Sequence, residues 1–218
     1  MTGIVLTGAL AGLFHVLSGP DHLAAVAPLA VEDGRRGWLA GWTWGFGHAS
    51  GVVVVALLAI AFRELLPPVD ILSAWGERVV GVALIAIGLW ALRRALNIAP
   101  GAHHHGAVEH NHVHVHAGPG WARRLGHAHA SFCMGILHGI AGSSHFLGVL
   151  PALALATRGA AVEYIAAFGV GTVAAMTAFA AIMGSAGARA HHGATLHRGM
   201  MLAAATLAIA VGGFWLVY

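Results

Sequence analysis

A short pattern of histidines occurs twice in this chain, each time inside an apolar stretch. The first copy reads Gly-Leu-Phe-His-Val-Leu-Ser-Gly-Pro-Asp-His over residues 12–22, and the second reads Gly-Ile-Leu-His-Gly-Ile-Ala-Gly-Ser-Ser-His over residues 135–145. Neutral imidazole is a good ligand for zinc, copper, nickel and cobalt, whereas an ionisable side chain is costly to place in lipid. The repeated pattern therefore predicts an internal duplication and a metal site within it.

The candidate ligands come from both copies and from the apolar stretch that follows the first one. They are His15, Asp21, His22, His48, His138, Ser144 and His145. Ser144 stands where the first copy has Asp21, so the second copy lacks the carboxylate. One carboxylate and several imidazoles make an asymmetric site for a divalent transition metal. We expect the first copy to dominate this site.

An uninterrupted helix cannot bring His15 and His22 to one metal ion. Seven residues make about two turns, which separate the two side chains by roughly 10 Å along the axis. Gly19 weakens a helix, and Pro20 cannot donate to the preceding turn but suits the first position of a new helix. The equivalent weak point of the second copy is Gly142–Ser143. We therefore predict that the first helix of each half is broken at these positions, as in many transporters.

Composition places these motifs in a membrane. The 218 residues are 58% hydrophobic and 9% charged, whereas soluble domains carry about 25% charged residues. The basic residues are 11 arginines, which we interpret as topology signals and not as a nucleic-acid surface. Apolar stretches long enough to cross a bilayer as helices lie at residues 3–31, 38–62, 79–96, 130–156, 161–186 and 199–218.

The similarity between the halves continues beyond the first motif. Residues 45–48 align with residues 169–172, and residues 88–90 align with residues 213–215. Three spans per half insert the second half in the opposite orientation. We therefore predict an all-α integral membrane protein with six transmembrane helices in two inverted three-helix repeats. The predicted units are the first repeat at 1–97, a His-rich connection at 98–129 and the second repeat at 130–218.

Arginines on alternate connections predict the orientation. One side holds eight: Arg35, Arg36, Arg93, Arg94, Arg123, Arg124, Arg189 and Arg198. The other side holds three: Arg63, Arg78 and Arg158. Because cytoplasmic connections carry the excess of basic residues, the first set is expected in the cytoplasm. Both termini then lie outside, the His-rich connection is cytoplasmic, and the cell inner (cytoplasmic) membrane is the expected location.

The connection between the halves is rich in histidine. Its histidines are His103, His104, His105, His110, His112, His114, His116, His127 and His129. Such spacing offers many overlapping sets of metal ligands without one fixed geometry. We interpret the connection as a metal reservoir or sensor, with a solvated polar linker as the alternative.

The first copy also carries a family resemblance. At residues 15–22, followed by Gly-His-Ala-Ser at 47–50, the chain resembles the nickel/cobalt transporter families, whose hallmark is a membrane-helix histidine followed shortly by Asp-His. It is most similar to the NicO/UreH/RcnA branch, because residues 137–143 and the His-rich connection also fit, and the resemblance covers nearly the whole chain. Five residues separate His15 from Asp21, where the related NiCoT permeases have four, and this spacing is similar to HupE/UreJ accessory proteins.

The resemblance implies metal coordination by a subset of the candidate ligands: His15, Asp21, His22 and His48. The roles of His138, Ser144 and His145 rest mainly on the internal repeat. The expected function is transport of a divalent transition metal, Ni²⁺ or Co²⁺ first and Zn²⁺ as an alternative. Because the chain has no Gly-x-x-x-x-Gly-Lys-Ser/Thr motif, a secondary-carrier mechanism is expected.

The sequence leaves the direction of transport open. Uptake for nickel enzymes and efflux for resistance are both compatible with it, and the oligomeric state is not encoded. A membrane metal-binding accessory or sensor protein and a membrane metalloenzyme are the other functions considered. We expect no enzyme activity, no permanently bound cofactor and no nucleic-acid partner. The expected partners are transition metal ions, the lipid bilayer and nickel-enzyme maturation proteins.

Overall fold

The computed structural model describes residues 2–61, 69–97, 101–105, 108–112, 120–141, 143–190 and 193–217. In these ranges the chain forms eight α-helices, a 3₁₀ turn at Gly34–Arg36 and one two-stranded hairpin. The helices are α1 (Thr2–Ser18), α2 (Pro20–Asp33), α3 (Trp38–Ala61), α4 (Val69–Leu96), α5 (Gly120–Ala141), α6 (Ser143–Leu153), α7 (Arg158–Ala190) and α8 (Ala194–Val217). Each apolar stretch of the sequence thus contains one helix or a pair of helices.

Helix length and composition support a multi-pass membrane protein. Four segments are long and apolar enough to cross a bilayer, namely Trp38–Leu58, Trp75–Leu96, Arg158–Ala190 and Thr195–Val217. The pair α1 and α2 forms a fifth candidate span, bent by 74° at its break. The apolar part of α5, Ala128–Ala141, is shorter. The described helices therefore support four spans, or five with the bent pair, and the sixth predicted span stays a prediction.

Two first-half helices pack against two second-half helices, α1 on α7 and α3 on α5. Gly8 of α1 contacts the backbone of Tyr164 in α7, and Gly12, one turn later, contacts the backbone of Phe168. The contacts advance together along both helices, so α1 and α7 run in the same direction. The absence of a Cβ allows the two backbones to touch, as is common between membrane helices.

The third close pair is α4 with α8. Gly81 of α4 packs on the backbone of Gly212 in α8, while Gly88, two turns further along α4, packs on the backbone of Ala205. The contacts advance along α4 as they recede along α8, so these helices are antiparallel. Between the three pairs lie fully buried large side chains such as Trp44, Leu84, Phe168, Met176 and Met201. Lipid is as apolar as these side chains, so close packing stabilises the bundle.

An ion pair fixes the far end of α2. The Arg94 guanidinium of α4 donates from Nε to Oε1 of Glu32 at 2.7 Å. The side chain of Glu32 is 9% exposed and that of Arg94 is 25% exposed. A charge-assisted hydrogen bond with this burial is stronger than an exposed surface pair. It holds the C-terminal turn of α2 against α4.

Part of the His-rich connection is ordered into secondary structure that the sequence does not predict. Strand β1 (Gly101–His105) pairs with β2 (Val108–His112) in an antiparallel hairpin, with His103 opposite His110. Helix α5 begins at Gly120, ten residues before the predicted start of the fourth span at Ala130. The hairpin adds two short strands to a fold expected to be all-α. The division at residues 97 and 129 stays a prediction.

Candidate metal centre

The break between α1 and α2 builds one edge of the site. It occurs at Gly19, where the sequence predicts it, and Pro20 takes the first position of α2. The φ of Gly19 is −93° and its ψ is 100°, so the extended backbone does not itself require glycine. A Cβ at Gly19 would overlap the His22 imidazole and lie 2.8 Å from Oδ1 of Asp21. Glycine is therefore needed because the two site residues fill the space beside it.

The break brings the side chains of the first copy together. The ring centroids of His15 and His22 lie 4.6 Å apart, which is less than half of the separation of about 10 Å expected along a continuous helix. Two further imidazoles surround His22, with ring centroids 4.9 Å away for His48 and 4.6 Å away for His138. His22 is thus the centre of a cluster of four imidazoles contributed by α1, α2, α3 and α5.

Asp21 supplies the carboxylate of this cluster. Its Oδ1 lies 2.9 Å from Nδ1 of His22, and its Oδ2 lies 3.2 Å from Nε2 of His138. When the imidazole donates from Nδ1 to this carboxylate, its Nε2 carries the lone pair that a metal requires. Asp21 also sits in the first turn of α2, where the helix dipole favours negative charge. The carboxylate can therefore orient His22 or coordinate an ion itself.

The side chains form two overlapping groups of three. Ligand atoms of His15, His22 and His48 lie within 4.8 Å of one another, as do those of Asp21, His22 and His138. Metal–nitrogen bonds of about 2.0–2.1 Å place neighbouring ligand atoms roughly 3 to 4 Å apart. Small side-chain movements therefore suffice for either group to bind a transition-metal ion. His22 belongs to both groups.

Glycines on α3 and α5 bring His48 and His138 to within 5.5 Å of each other, centroid to centroid. A Cβ at Gly135 would overlap the carbonyl oxygen of Trp44 and lie 2.9 Å from the backbone nitrogen of His48. A Cβ at Gly139 would overlap the carbonyl oxygen of His48, one turn further along both helices. These two glycines allow the backbones of α3 and α5 to touch beside His48, and the two helices run in the same direction.

The cluster is buried and lies at mid-depth in the bundle. His22 and His48 are 0% exposed, His138 is 3% and Asp21 is 4% exposed, whereas His15 is half-buried. His48 is the central residue of the candidate span Trp38–Leu58, about 15 Å from either end at 1.5 Å per residue. A hydrocarbon core is about 30 Å thick. The site therefore sits near the middle of a span.

For the remaining predicted site residues of the second copy, the structure describes the backbone without the side chain, or does not describe the residue. Helix α5 ends at Ala141 and α6 begins at Ser143, whereas Gly142 is outside the described part of the chain. The side chains of Ser143, Ser144 and His145 are also outside it, so their predicted roles stay predictions. The cluster that is described takes His138 from the second copy and its other members from the first half.

The histidines of the connection divide in the same way. His103, His104 and His105 lie in β1, and His110 and His112 lie in β2, with side chains that are not described. His114 and His116 are outside the described residues. Helix α5 contains His127, whose side chain is not described, and His129, which is exposed. Metal binding by this connection stays a prediction.

Two aromatic residues that the sequence did not mark as site residues border the cluster. The ring of Trp44 lies 6.2 Å from that of His138, and the ring of Phe168 lies 5.4 Å from that of His15. The repeat contained the signal, because Trp44-Gly-Phe-Gly-His48 aligns with Phe168-Gly-Val-Gly-Thr172. These buried rings exclude water from two sides of the imidazole cluster.

Comparison with known proteins gives relatives of two kinds. The chain is 37% identical over 181 residues to Chloroplast protein FOR GROWTH AND FERTILITY 1 of Arabidopsis thaliana, covering 82% of this chain and 49% of that protein. It is 35% identical over 180 residues to Chloroplast protein FOR GROWTH AND FERTILITY 2 of the same plant, covering 82% and 46%. The chain thus spans about half the length of these two relatives.

The third relative is bacterial. Urease accessory protein UreH of Bacillus sp. (strain TB-90) is 29% identical over 193 residues, covering 84% of this chain and 77% of that protein. This match supports the resemblance to the UreH branch that the histidine motifs indicate. No family model matches the chain, and no solved structure matches it.

Proposed function

We propose that this protein is a member of the NicO/UreH/RcnA-like branch that carries a divalent transition metal, Ni²⁺ or Co²⁺ first, across a membrane. The observation that carries the proposal is the convergence of four imidazoles and one carboxylate from four helices at mid-depth in the bundle. Buried ionisable groups in membrane helices are expensive and are usually functional. Imidazole ligands favour nickel, cobalt and zinc over the hard cations magnesium and calcium.

The similarity to a urease accessory protein supports nickel as the first choice and maturation of a nickel enzyme as the context. In this proposal the metal is cargo, and the protein has no enzymatic role. The His-rich connection, which joins the two halves, gathers metal ions on the cytoplasmic side, where the excess of arginines in alternate connections is expected to lie. We place the protein in the inner (cytoplasmic) membrane with both termini outside.

The packing supports an inverted repeat. Gly12 of the first copy meets α7 in the same way that Gly135 of the second copy meets α3, and both helix pairs are parallel. In each pair, the helix that begins one half (α1 or α5) lies on the helix that follows the broken pair of the other half (α7 or α3). The two crossings are therefore related as the two halves of an inverted repeat would be. In the carrier mechanism, the halves rock about the cluster and expose it to one side and then to the other.

Flux measurements test the carrier proposal. Reconstituted into proteoliposomes, the wild-type protein is expected to move Ni²⁺, while His22→Ala reduces the flux to the background of empty vesicles because both ligand groups lose their shared member. Thr7→Ala is the control, since this exposed side chain of α1 lies outside both the cluster and the His-rich connection. Equal flux for His22→Ala and wild type would refute the site. Nickel binding without any flux would identify an accessory or sensor protein instead.

Growth measurements test the direction of transport. Deletion of the gene sensitises cells to nickel if the protein exports the metal. It starves a nickel enzyme if the protein imports the metal. The similarity to a urease accessory protein makes starvation the expected result, and nickel hypersensitivity would contradict it.

A further inference from the structure

Thr172 of α7 holds the position in the second half that His48 holds in the first. The alignment of residues 168–172 with residues 44–48 places them opposite each other in the repeat, and the structure gives them equivalent surroundings. A Cβ at Gly135 would lie 2.9 Å from the backbone nitrogen of His48, and a Cβ at Gly12 would lie 2.9 Å from that of Thr172. The two backbone positions are therefore equivalent at the two helix crossings.

The aromatic neighbours of the two positions are equivalent as well. Phe168 lies one turn before Thr172, and its ring centroid is 5.4 Å from that of His15. Trp44 lies one turn before His48, and its ring centroid is 6.2 Å from that of His138. The His48 ring itself lies 5.5 Å from the His138 ring. By the same relation, we expect the side chain of Thr172 beside His15.

The Thr172 hydroxyl differs from other threonine hydroxyls of the bundle. Thr177, five residues further along α7, donates to the carbonyl oxygen of Val173 at 2.6 Å, which is the usual bond of a threonine in a membrane helix. Thr172 is 0% exposed, and its Oγ1 makes no hydrogen bond with any residue that the structure describes. A buried hydroxyl with no partner among the described residues is costly, so this position suits contact with a bound ligand.

We propose that the Thr172 hydroxyl is the oxygen donor that completes the His15, His22 and His48 group, by contact with the cation or with a water molecule bound to it. The Asp21, His22 and His138 group already contains an oxygen donor in its carboxylate. With Thr172, each group combines imidazoles with one oxygen donor. This donor is the charged Asp21 carboxylate in one group and the neutral Thr172 hydroxyl in the other. This inference rests on the proposed transport function and adds a ligand from the second half of the chain.

Nickel titration of the full-length protein in detergent tests the inference, with His22→Ala defining the component that belongs to the cluster. Thr172→Val keeps the side-chain shape but removes the hydroxyl, so we expect this component to weaken about 10-fold, the loss of about one hydrogen bond to a charged group. Thr172→Ser retains the hydroxyl and should stay within about 3-fold of wild type. Thr177→Val is the matched control and should bind as wild type does.

Thermal unfolding without metal separates a ligand role from a structural one. Thr172→Val is expected to unfold at the wild-type temperature or above it, because the buried hydroxyl has no partner to lose in the part of the chain that the structure describes. Unchanged nickel binding in Thr172→Val, or an equal loss in Thr177→Val, would overturn the inference while leaving the transport proposal intact. Absence of any His22-dependent binding in the wild type would overturn both.

Discussion

The close crossing of α3 and α5 makes Gly135→Ala a quantitative test of how the site is assembled. The new Cβ would overlap the carbonyl oxygen of Trp44 and lie 2.9 Å from the backbone nitrogen of His48, and real Cβ atoms essentially never make contacts shorter than 3.0 Å. The two helices must therefore separate by on the order of 1 Å. This shift is larger than the variation of about 0.2 Å that metal–ligand distances tolerate. This displacement moves His138 away from a shared ion and weakens its coordination.

We expect the Gly135→Ala protein to bind nickel about 10- to 100-fold more weakly, which corresponds to about 1.4–2.8 kcal/mol, and to lose about 1–3 kcal/mol of stability through overpacking. Two controls separate these effects in titration and unfolding experiments. Gly213→Ala adds a Cβ with no atom of the described residues within 4 Å, and Gly212→Ala adds one 2.6 Å from the carbonyl oxygen of Gly81, at the α4–α8 crossing. Gly213→Ala should leave nickel affinity and stability near those of the wild type. Gly212→Ala should lower stability without weakening nickel binding. Wild-type affinity in Gly135→Ala would refute the argument.

Three further substitutions test other parts of the account. Asp21→Asn keeps the side-chain shape but removes the charge beside His22, so the nickel titration should show about 10- to 100-fold weaker binding. Affinity within 2-fold of wild type would be inconsistent with a carboxylate that orients His22 or binds the ion. Gly19→Ala should abolish the His22-dependent component without reducing the helix content seen by circular dichroism, and an unaltered titration would contradict the tight fit at the break. Glu32→Gln removes the ion pair to Arg94 and should lower the unfolding free energy by about 1 kcal/mol, whereas an unchanged melting temperature would show that the pair does not hold α2.

The break in the first helix could be predicted because its causes are local. Glycine weakens a helix and proline fixes φ and removes a donor at any site in any fold, so Gly19 and Pro20 were sufficient signals. The approach of His15 to His22 follows from that break. The repeat also placed His138 among the candidates, which now lies 3.2 Å from Asp21.

The remaining features depend on contacts between distant parts of the chain. Which helix meets which is decided by packing across the bundle, so the sequence did not indicate that Gly12 would meet α7. The β1–β2 hairpin was missed because histidine and asparagine give no alternating apolar pattern and asparagine has low strand propensity. Its strands pair histidine-rich segments through their backbones.

Nickel titration of the chain lacking residues 102–117, by isothermal calorimetry, tests the central claim most directly. This deletion removes most histidines of the connection but leaves every residue of the His15, Asp21, His22, His48 and His138 cluster in place. We expect the shortened chain to bind one nickel ion per protein, and we expect the additional substitution His22→Ala to abolish this binding. If the shortened chain bound no nickel at all, the metal centre would lie in the connection and the proposed site inside the bundle would be wrong.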